Sequence, residues 1–156
     1  MLQEMLINHL VTLFLILLFS IVLFNRRLSN RESGQQYFWL TVVSVLLLVV
    51  QNELEVRASG DPSLRFWRTL LSVAGYTFRS TAALGLLLVV SDRKPKEFLL
   101  WIPALITLLT SATAFFTDIA FGFDADYAFY RGPLGYVVFI VPVLYMLLTL
   151  WIVFRH

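Results

Sequence analysis

Long apolar runs alternate with short polar segments along the chain. A membrane helix needs about 20 mostly apolar residues, and these runs approach or reach that length. They are continuous rather than alternating, which excludes the strands of a membrane β-barrel. The pattern predicts an all-α, polytopic membrane helix bundle, folded as a single transmembrane domain over residues 1–156. Its five transmembrane helices are predicted at 5–24, 37–54, 66–90, 98–118 and 134–154.

Composition and charge support this interpretation. Hydrophobic residues make up 59% of the chain and charged residues 14%, whereas a soluble domain carries about 25% charged residues. If the N-terminus lies outside, seven basic residues fall in inner segments and four in outer ones, as the positive-inside rule favours. The inner group is Arg26, Arg27, Arg31, Arg93, Lys94, Lys96 and Arg155, and the outer group is Arg57, Arg65, Arg68 and Arg131. We therefore expect an outside N-terminus and a cytoplasmic C-terminus.

The remaining basic residue, Arg79, lies inside the third apolar run. A charge at that depth costs at least about 2.5 kcal/mol, so it should face protein or water and have a partner. Tyr76 shares its helix face, and Glu53 or Glu55 at the end of the second run is in reach. Asp118, at the end of the fourth run, is a third candidate. A structural ion pair and an outward-facing ligand pocket both explain Arg79.

The predicted outer loop, FGFDADYAFYRGPLG, holds too many aromatic side chains for a solvated segment. We expect it to cap the bundle or to cover a pocket. Asp124 and Asp126 supply fewer oxygen ligands than calcium requires, which favours a solvated acidic turn. The candidate ligand-binding residues are Asn52, Glu53, Tyr76, Arg79, Asp118, Tyr130 and Arg131.

Other chemistry is not indicated by the sequence. The chain has no cysteine and only two histidines, so neither a metal site nor a cofactor is expected. It contains no phosphate-binding glycine loop and no nucleophile elbow, and we expect no catalytic residues. A net charge of +2 is too small to indicate nucleic-acid binding.

A family resemblance adds to this interpretation. The second run ends in an Asn/Glu cluster, the third carries a GYxxR segment, and the outer loop ends in YRGPLGY. This layout resembles the N-terminal multi-helix sensory region of bacterial membrane-bound diguanylate cyclases (GGDEF proteins). Related seven-helix inputs precede histidine kinases. The residues that carry the resemblance are Asn52, Glu53, Gly75, Tyr76, Arg79, Asp118, Tyr130, Arg131, Gly132, Pro133, Leu134 and Tyr136.

The resemblance implies a multi-pass protein of the bacterial inner membrane and the N-terminal part of a longer signalling protein. Since no GGDEF signature occurs here, the chain itself is not expected to be an enzyme, although a full-length protein could be a diguanylate cyclase or a histidine kinase. The expected function is a sensory input module that detects a small ligand or membrane state at its outer half. Its expected partner is the lipid bilayer. A small-molecule ligand and a homodimer that forms through the membrane helices are both compatible with the resemblance.

Two other functions are compatible with the sequence. A structural or partner subunit of a transport or envelope complex would dock a foreign helix on a small-residue face such as Thr81 and Gly85. A membrane enzyme acting on lipids would need clustered acid and base groups near an interface. The acids on the predicted outer side are scattered, which ranks this last function below the others.

Overall fold

Four long helices dominate the computed structural model, which describes residues 32–91 and 97–155. By length and composition, all four could cross a membrane, the third together with the short 3-10 turn Thr113–Phe115 that continues it. The predicted first span at 5–24 lies outside the described residues, so the count of five spans and the orientation stay predictions. The helices are α1 (Glu32–Ala58), α2 (Arg65–Val90), α3 (Glu97–Ala112) and α4 (Val137–Arg155).

The structure adds two details to the predicted helical architecture. The fourth predicted span, 98–118, ends as an α-helix at Ala112, where the Ser111 and Thr113 hydroxyls bond carbonyls three residues back. Such local bonds compete with helix continuation. The bundle is also not purely helical, because β1 (Phe121–Phe123) and β2 (Phe129–Arg131) form a two-stranded antiparallel hairpin.

Helix α2 is the centre of the bundle and packs against the other three helices. Its closest neighbour is α1, which is joined to it through a short turn and runs antiparallel. The face of α1 that meets α2 carries buried, mostly small or polar residues at spacings of three, four, three and seven. That spacing is typical of left-handed helix pairs. The residues are Thr41, Ser44, Leu48, Gln51 and Ala58.

Two glycines on α2 allow α1 to approach closely. A Cβ atom at Gly85 would overlap the Thr41 hydroxyl, and one at Gly75 would lie 2.5 Å from Gln51 Oε1. Gly85 is therefore used inside the chain. The expectation that it forms part of an external docking face does not fit this packing.

Pro103 interrupts the hydrogen-bond ladder of α3, and a side chain from α4 repairs the ladder. The Tyr145 hydroxyl accepts a hydrogen bond from the Ala104 N–H at 3.1 Å and donates one to the Leu100 carbonyl at 2.5 Å. It therefore replaces the direct bond that a regular helix would form between these two backbone groups. Tyr145 is almost fully buried, so this connection ties α4 to α3 inside the bundle.

The hairpin occupies the space beside α1 and α2 that the shorter helices α3 and α4 do not reach. At 1.5 Å per residue, α1 and α2 are each about 40 Å long, whereas α3 and α4 are about 24 and 28 Å long. The hairpin follows α3 and packs its aromatic side chains against Val73 and Tyr76 of α2 and Val138 of α4. We call the side of the bundle that carries it the hairpin end. The aromatic loop thus packs on the bundle, which fits one of the two roles expected from its composition.

The approach at Gly85 can be tested by substitution. We expect Gly85→Ala to destabilise the protein by about 1–3 kcal/mol, because the added methyl group has no room beside Thr41. Thr41→Ala in the same chain should restore most of the loss. Thermal unfolding in detergent, followed by circular dichroism, measures both. Equal destabilisation by Gly85→Ala with and without Thr41→Ala would show that the two residues do not limit the helix approach.

The bridge made by Tyr145 gives a second prediction. Tyr145→Phe keeps the ring but leaves the Ala104 N–H and the Leu100 carbonyl without the hydroxyl. The cost of an unsatisfied buried group is about 1–3 kcal/mol, and we expect a loss in that range. Tyr136→Phe is the matched control, because Tyr136 is 63% exposed. If both variants unfold at the same temperature, the bridge does not stabilise the fold.

Candidate functional site

A polar cavity lies between α1, α2 and the hairpin. Its volume is about 120 Å³. Arg79, one of its lining residues, lies about 21 Å along α2 from Arg65 and about 17 Å from Val90, near the middle of the helix. The other lining residues are Gln51, Glu55, Ser72, Gly75, Tyr76 and Phe129.

A small hydrogen-bond network forms the α1 side of the cavity. Glu55 accepts a hydrogen bond from the Gln51 side-chain amide on its own helix and one from the Ser72 hydroxyl of α2 at 2.7 Å. Because a carboxylate only accepts, the amide nitrogen of Gln51 must face Glu55. The amide oxygen of Gln51 is then left buried without a partner, although the residue is only 3% exposed.

Arg79 forms the opposite wall. Its Nε is buried and has no hydrogen-bond partner, and its guanidinium lies 5.5 Å from the centre of the Tyr76 ring. Two residues that line the cavity thus each contain one buried atom without a hydrogen-bond partner, a donor on Arg79 and an acceptor on Gln51.

Aromatic rings link the cavity to the hairpin. The Tyr76 ring contacts Phe121 at 5.6 Å and Phe139 at 5.9 Å between ring centres. Phe121 stacks on Phe129, a cavity-lining residue, at 5.5 Å. Such aromatic pairs contribute about 0.5–1.5 kcal/mol each beyond their buried area. The hairpin is thus attached to α2 beside the cavity rather than lying loosely over it.

The structure places the predicted site residues in three positions. Tyr76 and Arg79 line the cavity together. Asn52 is half-buried and Glu53 is exposed, and neither is a lining residue. Asp118, Tyr130 and Arg131 are exposed and lie at the hairpin.

The hairpin residues have partners of their own. The Asp118 carboxylate accepts a hydrogen bond from the Tyr130 hydroxyl and raises the pKa of that hydroxyl from its ordinary value. The Arg131 guanidinium lies 4.6 Å from the centre of the Phe139 ring. Arg131 also hydrogen-bonds to Tyr76, so it contacts a residue that lines the cavity.

Four lining residues outside the predicted set carry a signal in the sequence. Gln51 and Glu55 are four residues apart on one helix face, and Ser72 and Gly75 lie seven and four residues before Arg79. Helix periodicity places each pair together. Phe129 carries no comparable signal, because its position depends on how the hairpin folds over α2.

Another arginine of α2, Arg68, is buried, although the sequence indicates only an outer charge. It is 9% exposed and lies beside two hairpin rings, 4.4 Å from the centre of Phe123 and 4.7 Å from that of Tyr127. It also donates a hydrogen bond of 2.7 Å to the Tyr127 carbonyl. Tyr127 has a φ of 62°, a left-handed conformation that costs about 1 kcal/mol or more outside glycine. Arg68 holds this unfavourable turn in place.

The two acids of the loop belong to the turn. Asp124 accepts a hydrogen bond from the Ala128 N–H through its side chain at 2.8 Å, and Asp126 is exposed. No group of three or more histidine, cysteine or acidic residues that could hold a metal ion occurs in the described part of the chain. The geometry fits the solvated acidic turn that the sequence favoured.

Comparison with protein families, with curated proteins and with solved structures finds no match to this chain.

The role of Arg68 can be measured by hydrogen–deuterium exchange. Arg68→Met removes a cation–π contact of about 0.5–2 kcal/mol and a charged hydrogen bond, so amides of residues 121–131 should exchange at least about tenfold faster. Arg65→Met, one turn earlier and exposed, is the control and should leave the exchange unchanged. Equal exchange in the two variants would mean that Arg68 does not hold the hairpin.

Proposed function

We propose that the chain is a membrane-embedded sensory module that binds a small polar ligand in the cavity between α1, α2 and the hairpin. The observation that carries the proposal is a polar cavity of about 120 Å³ whose lining brings together Glu55, Tyr76 and Arg79. Glu55 and Arg79 carry formal charges, and burying a charged group is unfavourable unless it is paired and hydrogen-bonded. A ligand that pairs with these groups offsets part of that cost, which contributes to its binding free energy.

The alternative of a purely structural arginine has less support. A structural arginine on the same helix is illustrated by Arg68, which is 9% exposed and lies beside the Phe123 and Tyr127 rings. Arg79 has a single ring, that of Tyr76, at 5.5 Å and lines the cavity. Intramembrane ionisable residues mark functional sites by default, and the cavity gives this one a location where a ligand can reach it.

The position of the cavity suits signal transmission. A ligand there would contact α1, α2 and β2 together, and α2 touches every other described helix. Binding therefore increases the population of the arrangement of α1 and α2 that has the higher affinity for the ligand. Helix shifts of about 1–2 Å commonly transmit such a change to other parts of a protein. We propose that the hairpin end faces outward and that the signal runs along the helices towards the cytoplasm.

The output is the part of the proposal that rests on family resemblance. The cytoplasmic output would be a diguanylate cyclase domain, as the resemblance implies, or a histidine kinase domain, since related inputs precede such kinases. The other proposed role, a structural or partner subunit, receives no support from the described helices. Gly85, part of its expected docking face, is buried against α1 of the same chain.

Closing the cavity tests the proposal. A Cβ at Gly75 would lie 2.5 Å from Gln51 Oε1, so Gly75→Ala should displace that amide into the cavity and abolish ligand binding. The protein should stay folded, since alanine is favoured over glycine in a helix by about 0.5–1 kcal/mol. Gly60→Ala is the control, because no atom lies within 4 Å of a Cβ there.

The measurement is a thermal-shift screen of the purified chain in lipid nanodiscs against amino acids, small carboxylates, amines and sugars. We expect at least one compound to stabilise wild type and Gly60→Ala but not Gly75→Ala. If no compound stabilises wild type, or if every stabilising compound acts equally on Gly75→Ala, the cavity is not a ligand site. In cells carrying the complete gene, the same compound should change the cyclic dinucleotide concentration. A bound compound without that change contradicts the cyclase output and leaves the receptor role intact.

A further inference from the structure

Exposed tryptophans mark two levels on the surface of the bundle. Trp67 lies in the first turn of α2, at the hairpin end. Trp39 lies on α1 close to Thr41, which packs against Gly85 towards the other end of α2. At 1.5 Å per residue, the two levels are about 30 Å apart along α2. Tryptophan is enriched where a membrane meets water, and the apolar core of a bilayer is about 30 Å thick. The two levels therefore fit the two surfaces of one bilayer.

Helix α4 gives the same thickness independently. Its Phe139 contacts Tyr76, which lies about 14 Å along α2 from Trp67. Trp151, which is exposed, lies about 18 Å further along α4. Because α2 and α4 both begin at the hairpin end, the levels of Trp67 and Trp151 are about 32 Å apart. Tyr76 and Phe139 thus lie close to half-way between the two surfaces.

The hairpin extends from one surface to that depth. Its turn lies beside Arg68, in the first turn of α2, which donates a hydrogen bond to the Tyr127 carbonyl. The opposite end of the hairpin pairs Phe121 with Arg131, and both residues contact Tyr76. About 12 Å of α2 separates Arg68 from Tyr76. The two strands therefore form a re-entrant segment, which lies between the membrane surfaces without crossing from one to the other.

The exposed side of this segment is too polar to face lipid. Strand β1 is buried, whereas Tyr130 and Arg131 of β2 are exposed. Asp118, which is also exposed, accepts a hydrogen bond from the Tyr130 hydroxyl. A charged side chain that faces lipid at the centre of a bilayer costs at least about 2.5 kcal/mol. Non-helical backbone at membrane depth is tolerated where protein buries it or where it lines a water-filled space.

The exposed polar residues are continuous from the membrane surface to the deep end of the hairpin. Asp124 and Asp126 are exposed at the turn, and Asp118, Tyr130 and Arg131 continue the polar side inward. We infer that a water-filled vestibule descends along β2 from the membrane surface at the hairpin end to Arg131. It gives small polar solutes a route to the level of the cavity that avoids lipid. The inference goes beyond the proposed function, because the vestibule exists whether or not the cavity binds a ligand.

Cysteine accessibility tests the vestibule, and the chain has no cysteine of its own to interfere. Single-cysteine variants of the whole chain are reconstituted in liposomes that are made leaky, so that an anionic methanethiosulfonate reaches both membrane surfaces. The reagent reacts with the thiolate, which forms in water and is disfavoured in apolar surroundings. Arg131→Cys is the test position, and Asp126→Cys in the exposed turn is the reference for a thiol in water. Ile140→Cys is the matched control, because Ile140 follows Phe139 at the same depth and is exposed on the apolar surface of α4.

We expect Arg131→Cys to react at a rate within about tenfold of Asp126→Cys, and Ile140→Cys at least about 100-fold more slowly, because lipid disfavours the thiolate. Tyr130→Cys should react like Arg131→Cys. It carries the test if loss of the bond between Arg131 and Tyr76 unfolds the first variant, and circular dichroism shows which variants are folded.

Two results would overturn the inference. If Arg131→Cys and Tyr130→Cys react as slowly as Ile140→Cys, lipid or a protein partner covers β2 and there is no vestibule. If Ile140→Cys reacts as fast as Asp126→Cys, this level of the bundle lies outside the membrane and the hairpin is not re-entrant. Neither result decides whether the cavity binds a ligand, which the thermal-shift screen measures separately.

Discussion

The close approach of α1 to α2 is the constraint on which the rest of the structure depends. It requires residues without side-chain bulk at two levels of α2, Gly85 and Gly75. At the first level, Thr41 fills the space and the two helices are in direct contact. At the second level, the partner is the longer, polar Gln51, whose amide lies flat against the glycine. The same close packing that holds the pair together therefore also fixes a polar group at the edge of the cavity.

Two arginines of α2 lie in different surroundings. The Arg68 guanidinium lies beside Phe123 and Tyr127, whose rings contact each other, and it donates a hydrogen bond to the Tyr127 carbonyl. The Arg79 guanidinium has one ring, that of Tyr76, at 5.5 Å and lines the cavity. The Nε atoms of both arginines are buried without a hydrogen-bond partner, so that property does not distinguish them. What distinguishes them is the cavity, which Arg79 lines and Arg68 does not.

Length and hydropathy predicted the four described helices, because a continuous apolar run admits few other structures. Helix periodicity also predicted that Tyr76 and Arg79 share a face. Helix periodicity could also have identified Glu55, rather than Glu53, as the carboxylate that lines the cavity. Glu55 lies four residues from Gln51 on the buried face of α1. The hairpin and the Tyr145 bridge could not be predicted in this way. Both depend on contacts between segments far apart in the chain, and no local pattern marks a tyrosine that will enter a neighbouring helix.

The hairpin is attached to α2 at two points, and the cavity shares one of them. At the first point, Arg68 holds the turn through Tyr127. At the second, Phe129 both lines the cavity and stacks on Phe121, which contacts Tyr76. A ligand that shifts Phe129 must therefore disturb the aromatic cluster, while the turn stays fixed by Arg68. The cluster also packs against Val138 near the start of α4, so the residues around the cavity are connected to α4 through the aromatic side chains of the hairpin.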